Sequence, residues 1–236
     1  MNIFSKIWPK VKRKWTKIRL QPIRVFCFHQ VSDTFDASTM YPSDWTHIEQ
    51  FKRNIEQLKR QYTFIPLLEA YNKLNHNRCR CMQYAVLTAD DGWASLKNIL
   101  PWLAENQIPI TLFVNPAYLR GDEVRENGMN GLLTWVELQE LLALYPNVFI
   151  ASHGWNHKLA CDMSENEFKE SIVRTHHFLE VSDKNIPFYA YPCGKHNKHQ
   201  DNCLHQEGIV PVYMDGQKNY LFDGGIHREL LDGKKL

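Results

Sequence analysis

The chain has 236 residues, 44% of them apolar and 23% charged, with a formal net charge of +2. That balance excludes a disordered or low-complexity protein, and no run approaches the roughly 20 apolar residues that cross a bilayer. One domain is the default at this length, and six scattered cysteines (27, 79, 81, 161, 193, 203) are expected to be reduced rather than paired.

The charge is unevenly placed. Residues 1–24 hold eight of the 28 basic residues and no acid, which leaves 20 basic against 26 acidic residues in the body. An acidic body is a poor partner for duplex DNA, so no nucleic acid is expected. In the leader, Phe4, Ile7, Trp8, Val11, Trp15 and Ile18 recur at helical spacing, with Pro9 interrupting. The segment reads either as a loose basic extension or as a peripheral contact with an anionic membrane. It lacks the apolar core of a secretory signal, so the protein is expected in the cytoplasm, with the leader able to touch the inner face of the membrane.

Beyond the leader, strand-like and helix-like segments alternate. Residues 23–28 (IRVFCF) read as a buried strand, and Ile48, Phe51, Ile55 and Leu58 share one helical face. Residues 84–88 suit a strand, 94–105 a helix and 110–114 another strand. Thr134 with Glu137 and Ser164 with Glu167 form capping boxes that open two further helices. Between and after them, 147–151, 187–191 and 209–213 read as strands, with a helix between the last two. Such alternation means parallel strands joined by crossover helices, as an open sheet or a barrel, in a single domain over 25–236. It also places active residues at the carboxyl ends of the strands.

Three polar clusters sit at such ends. Thr88-Ala89-Asp90-Asp91-Gly92-Trp93 follows the strand YAVLT; its adjacent carboxylates need a cation or a shared proton, although an Asp-Gly turn that caps a helix is the plainer reading. Ser152-His153-Gly154-Trp155-Asn156-His157 follows NVFIA and spaces two histidines four apart, as divalent-metal ligands often are. One Asp and two His would make a three-ligand site with an open position, and the other Asp would be free to act as a base toward an activated water. Tyr189-Ala190-Tyr191-Pro192-Cys193-Gly194 is a third strand-end turn, either a simple β-turn or a set of N–H groups facing a pocket. His29 ends the first strand, and His227 is held in reserve.

Together these residues resemble the polysaccharide deacetylase family (carbohydrate esterase family 4, the NodB-homology domain). Its Thr-Phe-Asp-Asp-Gly motif is similar to Thr88–Gly92, with Ala89 replacing Phe, and its His-(Ser/Thr)-x-x-His motif to His153–His157, with Gly154 at the hydroxyl position. The resemblance implies a distorted (β/α) barrel with fewer than eight strands. It implies Asp90 as base, Asp91, His153 and His157 as ligands of a divalent metal, most simply Zn²⁺, and the Cys193 N–H as oxyanion donor. The third motif departs: Ala190 stands where the family has the Arg that partners the base, and Cys193 where it has Tyr. Phe28-His29-Gln30-Val31 and the Tyr191-Pro192 turn resemble the poly-N-acetylglucosamine deacetylase branch more closely. By that resemblance His29 is the general acid, with His227 second.

The activity so implied is hydrolysis of an N-acetyl group on an amino sugar of a surface polysaccharide or its precursor. The readings kept beside it are a non-catalytic glycan-binding homologue and a deacylase of another amide. Tyr191, Trp93 and Trp155 are candidate substrate contacts, and Trp135 is weighed with them as a sugar platform or core.

Overall fold

The computed structural model describes residues 21–37, 42–76, 82–123 and 131–233. Most of the leader, including its apolar stripe, and the cysteines at 79 and 81 lie outside them. Strand β1 (Ile23–Phe28) is followed by the short parallel pair β2 (Gln30–Ser32) and β3 (Trp45–His47) and by α1 (Ile48–Lys59). Then come β4 (Thr63–Phe64), α2 (Leu67–Asn75), β5 (Tyr84–Ala89), α3 (Leu100–Glu105), β6 (Ile110–Val114) and α4 (Pro116–Leu119). The chain continues through α5 (Trp135–Leu144), β7 (Val148–Ser152), α6 (Glu165–Leu179), β8 (Asn185–Ala190), α7 (Lys198–Gln206), β9 (Val210–Tyr213), β10 (Ile226–His227) and β11 (Glu229–Leu230).

All strands of the main sheet run parallel, in the order β10-β9-β8-β7-β6-β5-β1-β11, with β4 also paired to β5. The two ends of that order are one stretch of chain. Residues 226–227 pair with β9, and 229–230 pair with β1. A single segment broken at Arg228 therefore bridges the seam between the first and last long strands. Six long strands and this segment make a nearly closed barrel, the distorted architecture expected from the sequence.

Strand residues alternate between two apolar layers, as a period of two requires. Val25, Val86, Phe113, Ala151 and Val212 fill the inside, while Phe26, Leu87, Leu112 and Ile150 pack outward beneath the helices. Leu67, Ala70 and Leu74 of α2 join the inner layer, and Tyr71 stands edge-on to Phe188 at 5.6 Å. The helix thus stoppers one end of the barrel and leaves the carboxyl strand ends for polar residues.

Both anticipated capping boxes are present, with Thr134 and Ser164 accepting from the Glu137 and Glu167 amides. The helix expected over 94–105 is instead a 3₁₀ turn at Ala94–Asn98 followed by α3. Pro101 explains the break: it supplies no amide hydrogen, so it is accommodated in the first turn of a new helix rather than in the interior of one running through 94–105. Among the described residues Cys27, Cys161, Cys193 and Cys203 are free thiols, and no helix is long and apolar enough to cross a membrane.

Candidate active site

The carboxyl ends of the strands surround one cavity of about 740 Å³. β1 delivers His29 to it, β5 delivers Asp90 and Asp91, β7 delivers His153 and His157, β8 delivers Tyr191 and Cys193, and the seam segment delivers Arg228.

Asp90 and Asp91 are both buried, yet they face different partners. Asp90 accepts two hydrogen bonds from one guanidinium: Arg228 Nη1 donates to Oδ1 at 2.7 Å, and Nη2 to Oδ2 at 2.8 Å. Burial alone would raise the Asp90 pKa, but the charge of Arg228 and its two hydrogen bonds hold the carboxyl well below the usual range. Because its native pKa is depressed, this pairing stabilises the fold above an unfolded pKa of about 4 and is lost as pH falls further. Arg228 also donates to Thr88 Oγ1 at 3.3 Å, which aligns the fork on β5.

Asp91 turns the other way because its backbone is left-handed, with φ at +72°. Trp93 Nε1 donates to its Oδ2 at 3.1 Å, and its Oδ1 lies 3.6 Å from His153 Nε2 and 3.3 Å from His157 Nε2. His153 Nδ1 donates to the Ala190 carbonyl at 2.9 Å, so the ring's Nε2 carries the lone pair. Burial lowers the His153 pKa and favours the neutral, ligating form. One carboxylate oxygen and two imidazole nitrogens, within 4.8 Å of one another on the cavity wall, fit a three-ligand divalent-metal site.

The loop carrying both histidines is tied down from below. Asn115, itself buried, donates through Nδ2 to the carbonyls of His153 and Gly154. Gly154 has φ at +78°, and a Cβ there would come within 3.0 Å of Tyr189 Oη. The tyrosine hydroxyl thus fills the space that a Ser or Thr side chain would need.

On the same cavity wall, His29 Nδ1 lies 2.6 Å from Asp232 Oδ2, and its backbone amide donates to Oδ1 at 3.2 Å. Burial pulls the His29 pKa down, but the hydrogen bond and charge of Asp232 outweigh it and bring the imidazole to about 9. His29 is therefore a proton donor at neutral pH.

The remaining expected residues divide. Tyr191 and Cys193 line the cavity, with Cys193 at φ +54° and Tyr191 donating its hydroxyl to Asp201 at 2.8 Å. Trp93 and Trp155, read from the sequence as substrate contacts, are 2% and 5% exposed and do not line it. Trp93 serves Asp91 instead, and Trp155 lies beneath the Arg174 guanidinium. Trp135 packs on Phe178. His227 does not line the cavity either; its ring meets Asp215 at 2.7 Å and Asp223 at 3.1 Å.

The polysaccharide deacetylase family pattern matches residues 77–212, more than half of the chain. The chain belongs to this family. No curated protein sequence matches it. Among solved structures it is similar to IcaB from Ammonifex degensii, with TM-score 0.76 and 19% identity over 90% of this chain and 93% of that one. It is also similar to the Streptococcus pyogenes deacetylase PplD, solved with acetate, with TM-score 0.74 and 18% identity over 89% and 92%. A de-N-acetylase from Aggregatibacter actinomycetemcomitans gives TM-score 0.71 and 17% identity over 90% and 95%. These likenesses cover nearly all of each chain and concern the fold.

Within the family, the substitution at Ala190 left Asp90 without its expected arginine in the sequence. The structure supplies Arg228 from the seam instead. Reading the sequence by alternation offers a signal for it: Ile226 lies in the inner layer, so a residue two further on faces inward and His227 faces away.

Proposed function

We propose that the protein hydrolyses an N-acetyl group on an amino sugar of a surface polysaccharide or its precursor, releasing acetate and a free amine. One observation carries this reading: Asp90, gripped by both terminal nitrogens of Arg228, adjoins the Asp91–His153–His157 donor set and shares a cavity with His29, which is itself paired to Asp232. Those three donors would hold a divalent ion, Zn²⁺ being the one that their nitrogens and oxygen suit, and it would supply Lewis acidity toward the acetyl carbonyl and water.

The chain's own groups do the rest. Asp90 Oδ2 accepts the proton of the attacking water, and Arg228 keeps that carboxylate oriented and unprotonated beforehand. The Cys193 N–H donates to the oxyanion of the tetrahedral intermediate. His29 gives its proton to the departing sugar nitrogen and draws on Asp232 for orientation. A glycan-binding protein would not need a base and an acid held at opposite charge in one cavity, which disfavours the non-catalytic reading.

Metal content by elemental analysis, read beside acetate release from N-acetylglucosamine oligomers, tests the proposal. Chelation should abolish release and added Zn²⁺ restore it; folded protein that takes up no metal would overturn it. We further propose a cytoplasmic protein whose leader ahead of β1 lies against an anionic membrane, a contact supported by the seven cationic residues between Lys6 and Arg19. Liposome partitioning that survives deletion of residues 1–22 would remove the membrane part of that proposal.

A further inference from the structure

A second set of metal-type donors lies outside the cavity, where α6 meets α7. Glu165 opens α6, and His199 and Cys203 stand four apart on one face of α7. His199 Nε2 is 3.1 Å from Glu165 Oε2 and 3.9 Å from Cys203 Sγ, and the three donor atoms all lie within 4.8 Å of one another. A tetrahedral ion with Zn–N near 2.0 Å and Zn–S near 2.3 Å separates its donors by about 3.4–3.6 Å. The cluster has that scale, as does the catalytic set at 3.3 and 3.6 Å. Lys169 engages Glu165 through Oε1, which leaves Oε2 directed at the imidazole. The thiol is buried beneath, while His199 is exposed, so the open side of the cluster meets solvent.

We propose that Glu165, His199 and Cys203 form a second divalent-metal site, with a solvent molecule as fourth ligand. Thiolate and imidazole donors select Zn²⁺ or a similar thiophilic ion over Mg²⁺ or Ca²⁺. The site joins two elements that frame the cavity. α6 follows the loop that bears His153 and His157, and α7 follows the Pro192–Gly194 turn and carries Asp201, the acceptor for Tyr191. A bound ion would clamp those two segments together without entering the reaction.

Cobalt titration of the metal-stripped full chain tests it, because the catalytic donors include no sulfur. A thiolate-to-cobalt charge-transfer band should grow to saturation within two equivalents, one for each donor set, and be absent from Cys203→Ser. His199→Ala, a change at an exposed position that spares the fold, should weaken cobalt binding at this band by about tenfold or more. The band should persist in His153→Ala, which damages only the catalytic set, and in Cys193→Ser. Absence of the band from folded wild-type protein would overturn the proposal. So would its loss in Cys193→Ser, or its full retention in either Cys203→Ser or His199→Ala.

Discussion

Arg228→Met is expected to cost about 3–5 kcal/mol of stability and to slow turnover by about 100-fold. The loss is large because Asp90 stays behind, buried, with its bidentate cation gone. Its carboxyl would then take up a proton to escape desolvation, so its pKa rises. The residual activity should accordingly show an acid limb moved up toward neutral pH, where the wild type shows none from this group. Urea unfolding and a pH–rate profile measure both parts; an unchanged unfolding midpoint would show that the pair contributes nothing. Asp90→Asn removes the base but keeps an acceptor for the guanidinium, so it should lose turnover by about 10²–10⁴-fold yet retain its metal. Loss of metal there would refute the division of roles between Asp90 and Asp91. The double variant should be more stable than Arg228→Met alone, since no unpaired charge remains.

Asp232→Asn should shift the basic limb of the pH–rate profile downward by more than a unit. His29 acts while protonated, so its contribution persists up to its raised pKa of about 9 and falls beyond it. Without the Asp232 charge, burial prevails and the imidazole returns to its ordinary range or below, near 6.5. At pH 8 the variant should lose about 30-fold in kcat/KM and much less at pH 5.5, a split that general damage to the fold would not produce. His29→Ala removes the donor itself and should cost about 10²–10⁴-fold at every pH. A basic limb that stays in place in Asp232→Asn would move the acid role elsewhere.

Local patterns reveal most of the barrel. β1 and β5 to β9 are short apolar runs bounded by turn residues, and the two capping boxes mark helix starts within a residue. The donors are legible for the same reason, because Asp90 and Asp91, or His153 and His157, lie within a few positions of each other. What stays hidden is paired over distance. Arg228 reaches Asp90 across 138 residues and Asp232 reaches His29 across 203, and no local rule links them. β10 and β11 are two residues each, too short for a period to declare itself. Trp93 and Trp155 stay ambiguous in the sequence, since a large aromatic beside a motif serves equally as platform or as packing, and the structure buries both away from the cavity.

The seam segment carries a kinetic meaning as well. Both the guanidinium that pairs with Asp90, the proposed base, and the carboxylate that pairs with His29, the proposed acid, lie within or just past the stretch that bridges β9 and β1. Contacts so far apart in sequence form late, once the intervening strands have assembled. A chain whose ring is still open therefore holds a metal-type donor set with neither proton carrier prepared. On the proposed mechanism, activity reports that the barrel has closed.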